Sequence, residues 1–238
     1  MVFRRYGMKS SRREAAPVWQ VFLGTQKATG EPQGIVFQSE HARLSGQIAA
    51  DLRPDIFGEL PDDVLAAISG HDAGWQRADE DMLATPKPFP RVPGEQANEY
   101  WRESVRMAEE RSALAGVVVS RHFCALATSD ESHRSFRERE EPRREALESV
   151  LGIPTKDLDR YTSAIGFCDV VSLYLCSGAA DPVLIPLAHP ALASAALAQK
   201  VVLEWIEGQP RFSLPVMRPG AVVSAITARP GDVLSWRF

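Results

Sequence analysis

The chain has 238 residues, 45% hydrophobic and 24% charged, with a net charge of −4. That length and apolar content support a proper core and exclude disorder as the dominant state. The mild acidity removes the field that would draw the whole chain onto nucleic acid or anionic lipid, so neither a dedicated nucleic-acid partner nor a membrane is expected.

The first 16 residues are basic without an apolar stretch, which reads as a frayed tail and not as a secretory signal. Residues 17–238 read as one domain, with a helical core over about 38–178 and a strand-rich extension over about 198–238. Residues 17–37 hold two β-prone runs around a Gly/Thr/Lys/Pro stretch, a hairpin pattern. In QSEHARLSGQIAADL, Ser39 is a candidate cap, and His41, Leu44, Ile48 and Leu52 recur at helical spacing until Arg53-Pro54. Pro61, Asp62 and Asp63 open a second helix. It runs into Gly70-His71-Asp72-Ala73-Gly74-Trp75, where two glycines imply a close backbone approach; Trp75 reads as a core residue.

Residues 83–94 hold four prolines and read as an irregular loop, a pocket wall or a connector. Residues 95–112 and 113–128 read as two helices or one broken helix, the second segment being almost wholly apolar around Ser120, Arg121 and His122. The charged stretch 130–150, with Pro142 as a breaker, reads as a solvated helical arm. Residues 155–178 form the clearest helix, with Thr155 as cap and Gly178 as terminator, apolar in its middle except for Asp169 and Ser172. Short strands are predicted at 200–206, 211–216, 221–227 and 232–237. The fold class is therefore mainly α, with a short N-terminal hairpin and a small C-terminal antiparallel sheet. The strand-rich tail can cap the bundle, wall a pocket or form a homodimer interface.

Cys124, Cys168 and Cys176 sit in apolar runs without a CxxC pair, so they read as small core residues. With no spanning apolar stretch, the expected location is the cytoplasm of a bacterium-like cell.

Of five histidines, His41, His71 and His122 lie in apolar helical contexts. Burying Asp169 in an apolar helix costs several kcal/mol unless a partner compensates it. Asp72, beside His71, raises the same question. Imidazole nitrogen with carboxylate oxygen suits iron, manganese, zinc or nickel better than magnesium. His41, His71, Asp72, His122 and Asp169 are therefore candidate ligands for one or two divalent transition-metal ions.

The order of His, His-Asp, His and Asp on successive helices resembles the HD-domain superfamily. QSEHARLSGQIA, AISGHDAGW, VVSRHFCAL and FCDVVSLYLC together resemble an uncharacterised bacterial family, the domain of unknown function numbered 3891, over roughly residues 34–178. The superfamily likeness implies an HD-like helical bundle that binds metal through His41, His71, Asp72 and Asp169. It implies a phosphohydrolase acting on a nucleotide or another small phosphate ester, with a di-iron oxygenase or a non-catalytic regulatory module as alternatives. His122 lies outside the minimal pattern, as a fifth ligand, a ligand to a second metal or a phosphate contact. In the hydrolase reading Asp72 also orients the attacking water, Asp79 and Glu40 are the nearest further acids, and Arg43, Arg121 or Lys87 would meet the phosphate.

Overall fold

Helices carry most of the chain, and antiparallel strands either precede the first helix or follow the last. The computed structural model describes residues 21–25, 32–84, 94–128, 131–177, 182–186, 200–228 and 231–238. The expected tail, the proline run with Lys87, Gly178 and His189 lie outside the described residues. Strands β1 (Val21–Thr25) and β2 (Pro32–Val36) pair antiparallel, with Val21 opposite Val36, where the hairpin is predicted.

Helix α1 (Gln38–Ala50) buries His41, Ala42, Leu44, Ser45, Ile48 and Ala49, the stripe its sequence spacing predicts. It ends before Arg53-Pro54, and Pro54 instead opens the short helix α2 (Pro54–Phe57), where its missing N–H costs nothing. Ser39 does not cap α1: Phe37 occupies that position, and Ser39 bonds to Asp79. Helix α3 (Asp62–Ser69) starts with its two aspartates in the first turn, where they complement the helix dipole.

His71 and Asp72 follow α3 in a turn that leads into a one-turn helix, Ala73–Trp75, and then α4 (Gln76–Ala84). Gly74 answers the predicted close approach: a Cβ there would stand 2.2 Å from the Tyr100 carbonyl oxygen, so only glycine lets this turn seat on α5 (Gly94–Arg111). Trp75 is buried with Ala78 and Ala97, as a core residue should be.

Ser112 breaks the helical run, its hydroxyl accepting the Ala115 N–H, and α6 (Ala113–Ala127) begins. Helix α7 (Arg134–Leu151) runs straight through Pro142, which does not break it. The carbonyl that loses its partner belongs to exposed Glu138, where water can replace the bond. In α8 (Thr155–Ser177), Thr155 is the first helical residue and not the cap, since the Pro154 carbonyl receives the first N–H groups.

Beyond α8, β3 (Val183–Pro186), β4 (Lys200–Ile206) and β5 (Gln209–Phe212) form one antiparallel sheet, and β6 (Val222–Ile226) pairs with β7 (Val233–Arg237). Strand β3 has no counterpart in the sequence reading. The predicted 211–216 strand begins at Gln209 because Glu207 and Gly208 both adopt positive φ, the geometry of a two-residue hairpin turn.

A polar stripe on α1 fastens β6. Gln47 exchanges two hydrogen bonds with the Ser224 backbone at 2.9 Å each, Arg43 donates to the Ser224 carbonyl, and Glu40 accepts the Ile226 N–H. Helix side chains thus serve as the missing neighbour of an edge strand.

Leu44, Ile48, Phe57, Ile68, Val118, Phe123, Ile165 and Leu175 form one apolar core with Ile185, Val201, Leu203 and Val223 of the strands. The three cysteines are free and buried in helices, as expected of small core residues. Among the described residues no helix is long and apolar enough to cross a membrane.

Candidate metal centre

Helix α1 packs against α3 and α8, and α6 packs against the same two. These four helices and the turn after α3 converge on one buried polar cluster, here called the chamber. The contact of α1 with α3 is close because residue 46 is glycine: a Cβ there would lie 2.4 Å from Cβ of Ser69. That approach brings His41 of α1 to the His71-Asp72 turn.

His41, His71, Asp72, His122 and Asp169 meet in this chamber, each at most 8% exposed. His41 Nε2 stands 2.9 Å from Asp72 Oδ2 and 3.6 Å from Asp169 Oδ1. His71 Nε2 stands 3.7 Å from Asp72 Oδ2 and 3.6 Å from Asp169 Oδ1. His122 Nε2 lies 3.6 Å from Asp169 Oδ2. The imidazole of His71 meets those of His41 and His122 edge to face.

The remaining ring atoms show how the donors are aimed. His71 Nδ1 donates to the Ile68 carbonyl at 2.8 Å, so Nε2 is the nitrogen left to face the carboxylates. That buried Nε2 has no hydrogen-bond partner. His41 Nδ1 is held at 2.7 Å by Ser172 Oγ, which leaves its Nε2 facing the carboxylates.

Burial depresses His71 most strongly, but the charges of Asp72 and Asp169 outweigh it and hold its pKa up at about 9. Burial dominates at His122 and pushes it down to about 4 against the pull of Asp169, so that ring is neutral at pH 7. Burial pushes Asp169 up, but the approach of His71 and the surrounding imidazoles outweigh it and hold the carboxyl well below its usual range.

These groups fit a metal ion. Bonds of about 2.0–2.2 Å to a common ion place two donors no more than about 4.4 Å apart. The measured separations run from 2.9 to 3.7 Å. Two triads, His41/His71/Asp72 and His71/His122/Asp169, each bring three donors within 4.8 Å of one another and can hold an ion.

Other residues singled out by sequence are engaged elsewhere. Asp79 accepts from Gln38 N and Ser39 N, both at 3.1 Å, and from Ser39 Oγ at 2.9 Å, so it caps α1 from α4. Arg121 donates to Glu148 at 2.8 Å and Asp159 at 2.6 Å. Consecutive helical residues point about 100° apart, so His122 faces the chamber while Arg121 meets α7 and the first turns of α8. Arg43 forms a two-pronged pair with Glu40 beside β6, which also occupies Glu40.

Sequence reasoning gave no role to Ser45 or to Ser172. Their signal was present: two hydroxyls on otherwise apolar helix faces, one four residues after His41 and the other three after Asp169.

The model of the family described as Protein of unknown function (DUF3891) matches residues 26–206. No curated protein and no solved structure matches the chain.

Proposed function

The chain belongs to the DUF3891 family, a membership that brings no activity with it, and we propose that its buried His/Asp chamber is a single-ion metal centre of a phosphohydrolase. The observation that carries the metal reading is the buried Nε2 of His71, which has no partner at hydrogen-bond distance and is aimed between two carboxylates, with its other nitrogen already bonded. The phosphohydrolase reading is supported by the ordered likeness to the HD-domain superfamily. The reacting molecule in this reading is a nucleotide or another small phosphate ester.

One ion accounts for the donors better than two. His71 belongs to both triads, yet with Nδ1 committed to Ile68 it has one lone pair to give. Asp72 and Asp169 together balance one divalent charge. His122 then completes a five-residue set, and the two-metal oxygenase loses support.

A divalent ion bound there would acidify a water and polarise a phosphoryl oxygen. The chain's own residues hold the geometry. Asp72 turns Oδ2 toward His41 and His71, which leaves Oδ1 as the atom able to take the proton of an attacking water. Iron, manganese, zinc and nickel all suit the nitrogen-rich set.

The test is a panel of nucleoside monophosphates, cyclic nucleotides and generic phosphodiesters, assayed with metal-loaded protein. Metal-dependent phosphate release or diester cleavage is expected. Silence across the panel, with oxygen consumption by iron-loaded protein, would overturn the hydrolase in favour of the oxygenase.

A further inference from the structure

We propose that Ser172, backed by Ser45, is a positioning residue that commits His41 to bind through Nε2; this rests on the reading of the chamber as a metal centre. Ser172 Oγ has three neighbours at hydrogen-bond distance. It donates to the Asp169 carbonyl oxygen at 2.9 Å, accepts from Ser45 Oγ at 2.8 Å, and lies 2.7 Å from His41 Nδ1. A hydroxyl has one hydrogen and two lone pairs. With its hydrogen on the Asp169 carbonyl and one lone pair toward Ser45, the other is placed to accept the Nδ1–H of His41, the form that binding through Nε2 requires.

The ring is thereby held in one orientation, Nδ1 on Ser172 and Nε2 2.9 Å from Asp72 Oδ2. Turning it over would set a carbon against Ser172 and take Nε2 away from Asp72 and Asp169. Ser45 and Ser172 are both fully buried, so no solvent molecule competes for these bonds. Ser45 also lies within reach of the His41 and Cys168 carbonyls, which keeps its hydroxyl between α1 and α8. One side chain therefore ties the backbone that carries Asp169 to the ring of His41, linking ligands 128 residues apart in the chain. Metal-binding histidines commonly have such an outer partner, and its loss costs about 10- to 100-fold in affinity.

The experiment compares wild type, Ser172→Ala, Ser172→Thr and Ser45→Ala by zinc competition against a chelator and by nitrogen–proton correlation spectra of the imidazole rings in zinc-free protein. Ser172→Ala is expected to weaken zinc binding about 10- to 100-fold and to abolish the preference for a proton on His41 Nδ1. Ser172→Thr, which keeps the hydroxyl, should restore both, and Ser45→Ala should show a smaller loss. Equal zinc affinity in folded Ser172→Ala and wild type overturns the assignment, as does a wild-type His41 with no proton on Nδ1. If the alanine variant does not fold, the wild-type ring spectrum decides alone. Wild type that takes up no zinc, iron, manganese or nickel removes the metal centre, a separate failure, while the ring spectrum still decides the role of Ser172.

Discussion

Asp79 Oδ2 accepts both the backbone N–H of Ser39 at 3.1 Å and its hydroxyl at 2.9 Å, so a residue of α4 caps the helix that carries His41. Together with the Oδ1 bond to Gln38 N, this satisfies backbone donors that no residue of α1 itself meets. Asp79→Ala should cost about 1–2 kcal/mol in urea unfolding. Asp79→Asn keeps one accepting oxygen and should retain metal-dependent activity within a few fold. Loss of activity by about 100-fold in a stable, metal-loaded Asp79→Asn protein would instead make Asp79 the general acid or base.

Elemental analysis of protein purified without chelator should give one transition-metal ion per chain. His71→Ala and Asp72→Ala should each remove most of it, because each deletes a donor from an already buried set. His122→Ala should weaken binding without changing the count. Two ions per wild-type chain would contradict the single-lone-pair argument at His71.

The raised pKa of His71, at about 9, sets a pH dependence of definite sign. Its folded value lies above its unfolded one, so the metal-free protein has this stabilisation in full below about pH 6.5 and loses it as pH rises through about 9. The total is on the order of 3 kcal/mol. Metal binding must displace the same proton, so affinity should rise about tenfold per pH unit over that window. Thermal unfolding with and without chelator at pH 6 and pH 9 measures both effects. A chelator-treated protein equally stable at the two values would show that His71 is not held protonated.

Arg121→Met tests the placement of that guanidinium between Glu148 and Asp159. The expected result is a destabilisation of about 2 kcal/mol, from charge-assisted bonds that are partly buried, with unchanged metal content and unchanged KM. A raised KM for phosphate esters at wild-type stability would return Arg121 to the substrate.

Gln47→Ala should loosen the docking of β6 by about 1–2 kcal/mol, since it leaves both backbone groups of Ser224 without Gln47. Hydrogen exchange at Ser224 and its neighbours reports this directly. Unchanged protection there would mean that strand pairing with β7 alone holds β6.

Much of the helical frame was legible because apolar spacing along α1, α3, α6 and α8 is a local property. The strand β3 escaped because Val183–Pro186 acquires its identity only by pairing with Lys200–Ile206. Pro142 misled because the cost of a proline inside a helix depends on whether the freed carbonyl can reach water, which burial decides.

The sequence by itself marked out the five buried His and Asp residues that the fold brings together. Histidine and aspartate in apolar helical runs are costly enough to be conspicuous before any fold is known. Only the tertiary structure decided what each neighbouring polar residue does. Asp79, Glu40, Arg43 and Arg121 carry the same charges in the sequence as a catalytic group would, and packing spends them on a helix cap, a strand edge and an interhelical ion pair. Conversely, Ser45 and Ser172 are unremarked hydroxyls until α1 and α8 come together. A hydrogen bond depends on distance and direction between groups far apart in the chain, and no local pattern encodes either.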